Sequence, residues 1–177
     1  MPTIENIAAV DFQHGFHTAS GDNTIAIQII DPCGWVPIPK KSFAEIHKFE
    51  FLDTTNPDDS IYGEFCITAE QAFALCDILR KALIANMNVV VHCTAGICRS
   101  GAVVEVATMV GFEAIHNNRI PNTLVKKRMM KFFGLTYDSE VTMDSGVDVT
   151  KEMEDMVWEQ HGNKSSMQIL QNLGPKC

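Results

Sequence analysis

The chain has 177 residues, 46% of them hydrophobic and 20% charged, with a formal net charge of -8 and a pI near 5.1. This length supports one globular core and is too short for two typical domains. The acidic balance argues against a nucleic-acid-binding surface, which normally needs a basic stripe. No apolar run approaches the ~20 residues of a membrane span, and the first ten residues lack a secretory signal. We therefore expect a soluble, cytoplasmic protein with neither nucleic acid nor membrane as a partner.

Strands and helices are predicted to alternate along residues 24–133. Turn-forming residues, apolar runs and helix caps indicate, in chain order, a strand over 24–30, a short strand over 49–52 followed by a polar loop, a helix over 68–85, a strand over 89–92, a helix over 100–110 and a helix over 123–133. Thr68 and Gln71 form a capping box, and Asn122 can cap the last helix. The unbroken apolar run at 89–92 is typical of a central strand buried on both faces.

The composition changes after Tyr137. Eight acidic residues lie between 138 and 161, opposed only by Lys151. We expect the globular domain to cover residues 1–137 and residues 138–177 to form an acidic segment. Val149, Met153 and Val157 keep helical spacing, so a docked amphipathic helix and a partly disordered tail both remain open.

The most informative segment is 89–101, which reads Val-Val-Val-His-Cys-Thr-Ala-Gly-Ile-Cys-Arg-Ser-Gly. Cys93 directly follows the buried strand, and Arg99 comes six positions later at the start of a helix. This arrangement suits a loop whose backbone amides surround an anion. The amides, the helix N-terminus and Arg99 would favour a Cys93 thiolate, the nucleophilic form of cysteine. The Arg99 guanidinium matches two oxygens of a phosphoryl group.

Three further residues of the segment have predicted roles. Ser100 can hydrogen-bond the Cys93 sulfur and help it depart as a thiolate. Gly96 allows the backbone to turn sharply around the anion. We expect His92 to orient the loop through hydrogen bonds, with direct tuning of the thiol as the alternative.

These residues resemble the signature loop of the cysteine-dependent protein tyrosine phosphatase superfamily, and specifically its small, atypical dual-specificity branch, including compact bacterial-type members. The preceding strand, the following helix and Pro121-Asn122 with Val125 support the resemblance, which spans about residues 24–135. It implies an α/β fold, a three-layer sandwich with a small mixed, mainly parallel central sheet flanked by helices. It further implies hydrolysis of phosphotyrosine, and potentially phosphoserine or phosphothreonine, in a phosphorylated protein or peptide, without metal or cofactor.

The same resemblance implies the residue roles. Cys93 is the nucleophile that forms a cysteinyl-phosphate, Arg99 binds the phosphate, and Ser100 is the hydroxyl after the arginine. The phosphate cradle consists of Thr94, Ala95, Gly96, Ile97 and Cys98 together with Arg99.

The family takes its general acid from an aspartate in a loop after an earlier strand. Asp53 directly follows the strand predicted at 49–52 and is the first candidate. Asp58 and Asp59 lie closer to the usual interval before Cys93, so they remain alternatives, although residues of this kind after Pro57 commonly form a solvated turn.

Two questions stay open from the sequence. Cys98 resembles the second cysteine in the loop of low-molecular-weight tyrosine phosphatases, so it is either a redox partner of Cys93 or a packed loop residue. The alternative functions are a phosphatase of RNA 5′ ends or phosphoinositides, and a catalytically weak phosphate-binding interaction module.

Overall fold

A five-stranded sheet organises the part of the chain that the structure, a computed structural model, describes: residues 1–115 and 118–137. The strands are β1 (Thr3–Ala8), β2 (Gly21–Ile30), β3 (Phe43–Glu50), β4 (Asn88–Cys93) and β5 (Glu113–Ala114), in the order β3-β2-β4-β1-β5. Every strand pair among these is parallel. The helices are α1 (Ala9–His14), α2 (Ala69–Ile84), α3 (Arg99–Val110) and α4 (Thr123–Phe132). All these elements belong to one compact unit, Met1–Leu135.

The predicted α/β class, with helices flanking a central sheet in a three-layer sandwich, is confirmed. The sequence allowed for a mixed sheet, whereas the described strands are all parallel. Helices joining successive parallel strands cover both faces of such a sheet, which explains the apolar run in β4.

The central position of β4 determines where the site lies. β4 lies between β1 and β2, its Val89, Val90 and Val91 side chains are buried on the two faces of the sheet, and Ala8 of β1 pairs with Cys93. Because parallel strands end at the same edge of a sheet, the residues that follow β1, β2 and β4 meet there. The segments after Ala8, Ile30 and Cys93 therefore form one surface.

The helices match their predictions to within two residues. Thr68 and Gln71 form the expected capping box at the start of α2. The Asn122 side chain accepts from the Val125 amide and caps α4. Gly111 ends α3, whose first half is almost wholly buried.

Apart from small shifts of bounds, four elements differ from the sequence-based prediction: β1, α1, β3 and the two-residue strand β5, for which nothing was predicted. The strand predicted at 49–52 overlaps only the last residues of β3, Phe49 and Glu50. The rest of β3 was missed because β3 is an edge strand whose side chains are mostly exposed and lack an apolar pattern. No element was predicted at β1 or α1, since Glu5 and Asn6 interrupt the apolar run of β1. Both side chains are nevertheless buried, and Glu5 accepts a hydrogen bond from the Thr18 amide at 2.8 Å.

The predicted acidic segment, 138–177, lies outside the described residues. Among the residues that are described, none of the helices has both the length and the apolar character required to cross a bilayer.

Candidate active site

The loop between β4 and α3 turns its carbonyl groups toward the surrounding protein. The Thr94 carbonyl accepts from the Ala9 amide at 3.3 Å, and the Gly96 carbonyl accepts from the Asn6 side chain at 2.7 Å. The Ile97 and Cys98 carbonyls accept from the backbone amides of residues 120 and 122. In a trans peptide the carbonyl and the next N–H point in opposite directions, so the following amides face the open side of the loop.

These amides remain available to a ligand. None of the backbone N–H groups from Ala95 to Arg99 donates a hydrogen bond to another residue that the structure describes. Several N–H groups pointing the same way at a helix N-terminus make an anion-binding concavity. The backbone of the loop is therefore compatible with the predicted cradle, whose phosphate binding stays a prediction.

Gly96 is required at its position for two independent reasons. Its φ of +72° lies in the left-handed region that glycine tolerates best. A Cβ atom there would also lie closer than 3.0 Å to backbone atoms of Ile7 and Ala8. The loop can therefore pack directly against the end of β1 only because residue 96 has no side chain.

The Cys93 thiol lies at the base of the loop beside Ser100. Their Sγ and Oγ atoms are 3.2 Å apart, and both residues are buried. The sulfur lies just before the N-terminus of the 12-residue helix α3, where the aligned peptide dipoles favour negative charge. Ser100 is thus within hydrogen-bonding distance of the sulfur, as its predicted role requires.

Arg99 is buried, and its guanidinium is held by three partners. Nη1 donates to the Asp31 carboxylate at 2.7 Å and to the Phe51 carbonyl at 2.7 Å, while Nη2 donates to the Thr94 hydroxyl at 2.9 Å. The Thr94 hydroxyl in turn lies 3.4 Å from the other Asp31 oxygen. These bonds fix the plane of the guanidinium beside the loop.

Asp31 is a site residue that sequence reasoning misses, because an aspartate followed by a proline at the end of a strand is typical of a turn. The available signal was its position directly after the strand predicted at 24–30; only the structure shows that this strand neighbours β4. Asn6 was missed as well, since an asparagine inside an unpredicted strand gives no pattern. Its side chain connects β1 to the loop through Gly96.

Asp53 is the predicted acid that the structure brings to the loop. Its Oδ1 accepts from Asn122 Nδ2 at 2.7 Å, and the Asn122 amide donates to the Cys98 carbonyl at 3.0 Å. Asn122 is buried and Asp53 is exposed, so this link between the acid segment and the loop runs from the interior to the surface. The sequence identified Asn122 as a helix cap but not as the partner of Asp53.

Cys98 lies beside Asp53 as well. Burial, followed by the neighbouring Asp53 carboxylate and the charge of Cys93, raises the pKa of the Cys98 thiol to about 11. Cys98 is therefore a neutral thiol at neutral pH. A neutral thiol is a poor nucleophile, so this raised pKa disfavours reaction of Cys98 with an oxidised Cys93. The redox role of Cys98 stays a hypothesis.

Asp58 and Asp59 lie farther along the same segment and are exposed. The Asp59 carboxylate accepts from the Ile61 and Tyr62 amides, both at 2.8 Å, and these bonds lower its pKa. Asp59 thus closes a local turn. Among the described contacts, only Asp53 of the three candidates is bonded to Asn122 and lies beside the phosphate loop.

His92 packs in the core beneath the loop. Its ring lies 4.6 Å, centroid to centroid, from that of Phe12. Burial lowers the pKa of His92 to about 4, although the contact with the Cys93 backbone acts to raise that pKa. Neither ring nitrogen makes a well-formed hydrogen bond to any residue in 1–115 or 118–137. The expected orienting hydrogen bonds are therefore absent there, and His92 supports the loop as a neutral, packed ring.

Among residues 1–115 and 118–137, His, Cys, Asp and Glu side chains do not gather in a group of three or more that could hold a metal ion. Comparison with known proteins adds no relative: no protein-family model matches the chain, and no curated protein matches it at a significant level. The suggested relationship to tyrosine phosphatases therefore rests on the loop motif and its surroundings.

Proposed function

We propose that this chain is a protein phosphatase that hydrolyses phosphotyrosine, with phosphoserine and phosphothreonine as further candidate substrates, through a cysteinyl-phosphate intermediate. The observation that carries the proposal is the combination of one thiol, one guanidinium and a run of free amides around one loop. The Cys93 sulfur has Ser100 at 3.2 Å, and Arg99 begins the helix that follows.

The first step forms a bond between Cys93 Sγ and phosphorus and breaks the bond between phosphorus and the substrate oxygen. Arg99 and the amides of residues 95–99 bind the phosphoryl oxygens, whose charge must be neutralised as the bonds rearrange. Asp53 gives its proton to the departing oxygen, which makes a neutral alcohol the leaving group. The segment that holds Asp53 is tied to the loop through Asn122.

The second step releases the phosphate. A water oxygen bonds to phosphorus, the bond between phosphorus and sulfur breaks, and the Asp53 carboxylate takes the proton from water. The Ser100 hydroxyl donates a hydrogen bond to the sulfur and keeps its proton, which stabilises the departing thiolate. The products are inorganic phosphate and the starting form of the enzyme.

The nature of the loop side chains supports a singly phosphorylated protein substrate. Ala95, Ile97 and Cys98 provide no cation for the additional phosphates of an inositol lipid. Arg99 also shares its charge with Asp31, which leaves less positive charge for a polyanion.

The test is a panel of phosphopeptides and phosphoinositides, assayed without metal, on the parent protein, Cys93→Ser and Cys33→Ser. We expect turnover of phosphotyrosine peptides that Cys93→Ser abolishes and Cys33→Ser retains, because Cys33 is an exposed thiol outside the loop. Turnover of Cys93→Ser at the parent rate would refute the covalent route. Preferential turnover of phosphoinositides would refute the substrate class.

A further inference from the structure

A cavity of about 190 Å³ opens beside the phosphate loop. Its walls come from the end of β2 (Ile29 and Ile30), the start of α1 (Ala9 and Val10) and Trp35. Thr94 and Asp31 complete the lining on the side of the loop. We call this space the Trp35 cavity.

The Trp35 cavity adjoins the groups that would hold the phosphate. Thr94 accepts from Arg99 Nη2 at 2.9 Å, and Asp31 accepts from Arg99 Nη1 at 2.7 Å. A molecule bound at Arg99 would therefore have its neighbouring atoms at the mouth of the cavity.

The chemistry of the walls favours an apolar occupant. Of the lining residues within 1–115 and 118–137, Asp31 is the only one with an ionisable side chain, and its carboxylate already faces Arg99 and Thr94. The remaining walls are mainly aliphatic carbon and the indole ring. Burying a cation or a polar group there without a partner would be unfavourable.

The volume and the exposure of Trp35 indicate the size of the occupant. A space of about 150 Å³ lined by apolar side chains admits a benzene ring, so the Trp35 cavity can take an aromatic or a large aliphatic side chain. Trp35 is 58% exposed, and the following Val36 is 39% exposed. Apolar surface beside a binding site gains free energy when a partner covers it.

We propose that the Trp35 cavity binds an aromatic or large aliphatic side chain of the substrate, located within two residues of the phosphorylated residue. The inference rests on the proposed function and adds a sequence preference to it. Trp35 is then a specificity-determining residue, whereas the phosphate loop binds the phosphoryl group common to all substrates.

The experiment measures binding to the Cys93→Ser protein by calorimetry, which removes turnover from the readout. Two phosphotyrosine peptides are compared, with either Phe or Ala at both of the two positions on each side of the phosphotyrosine. We expect the Phe peptide to bind about tenfold more tightly, as burial of one large apolar group provides. Adding Trp35→Ala should make the two affinities equal, and Trp35→Phe should keep most of the difference.

Ile84→Ala is the matched control, because Ile84 is 75% exposed at the end of α2, away from the loop. It should keep the full difference between the peptides. Equal binding of the two peptides before any change at Trp35 would overturn the inference. An equal loss of affinity for both peptides in Trp35→Ala would also overturn it, because that result would assign the cavity to the phosphotyrosine ring.

Turnover of an aryl phosphate by the protein with Cys93 intact separates the two proposals. Turnover without peptide discrimination overturns the Trp35 cavity as a subsite and leaves the phosphatase. Peptide discrimination without turnover overturns hydrolysis and leaves the subsite.

Discussion

Replacing Gly96 with Ala should lower the free energy of unfolding by more than the left-handed conformation of residue 96 alone would cost. An alanine held at a φ of +72° costs roughly 1–2 kcal/mol. The added methyl would also overlap backbone atoms of Ile7 and Ala8, which belong to the sheet and have little freedom to move. Overpacking of this kind costs roughly 1–3 kcal/mol more. We therefore expect Gly96→Ala to lose about 2–5 kcal/mol of unfolding free energy.

Gly21→Ala is the control that isolates the overlap. Gly21 has a φ of +86°, and an added Cβ would meet no atom within 4 Å. Gly21→Ala should therefore lose only the unfolding free energy that the left-handed conformation costs, roughly 1–2 kcal/mol. Urea denaturation of both variants, with and without inorganic phosphate, measures the two losses. Phosphate should stabilise Gly21→Ala as it stabilises the parent and should stabilise Gly96→Ala much less. Equal losses in the two variants would refute the close approach of the loop to β1.

Three further outcomes follow from the site. Asp53→Asn should slow turnover of a phosphate ester with a poor leaving group by about 10²-fold or more, and turnover of an ester with a good leaving group far less. Asp58→Asn is the control and should leave both rates unchanged. Equal losses on both esters in Asp53→Asn would exclude Asp53 as the acid. Asp31→Asn keeps an oxygen for Arg99 but removes a charge that opposes the phosphate dianion. Because Asp31 is partly exposed, we expect the inhibition constant of inorganic phosphate to fall only about fivefold, and a rise would instead indicate that the charge positions Arg99. Burial lowers the pKa of His92 to about 4 from an ordinary value of 6.5, so the unfolded chain binds a proton there that the folded chain excludes. The free energy of unfolding should consequently fall as the pH drops from 6.5 to 4, by about 3 kcal/mol from this residue. Urea titrations across that range should show a flatter dependence for His92→Phe, and an unchanged dependence would contradict the assignment.

The loop and its flanking elements were predictable because their signals are local. A capping box, a helix-ending glycine and an apolar run each depend on residues within a few positions of one another. The bounds of α2, α3 and α4 differ from prediction by two residues or fewer for this reason.

The rest of the site was not predictable because it depends on strand order. Asp31 reaches Arg99 only because β2 lies beside β4, and Asn6 reaches Gly96 only because β1 lies on the other side. Neither neighbour relation appears in the spacing of residues along the chain. The same holds for Asn122, whose capping motif is local but whose bond to Asp53 joins residues 69 positions apart.

The hydrogen bond from Asn6 to Gly96 joins residues 90 positions apart in the chain. Strand β1 is therefore synthesised well before β4, and neither segment has its final neighbours until both are present. Contacts of such long sequence separation form late and slow the folding reaction. The anion site should consequently be among the last features to appear during refolding, after the local helices. A variant without residues 1–6 should retain α2 and α3 and have no site for phosphate.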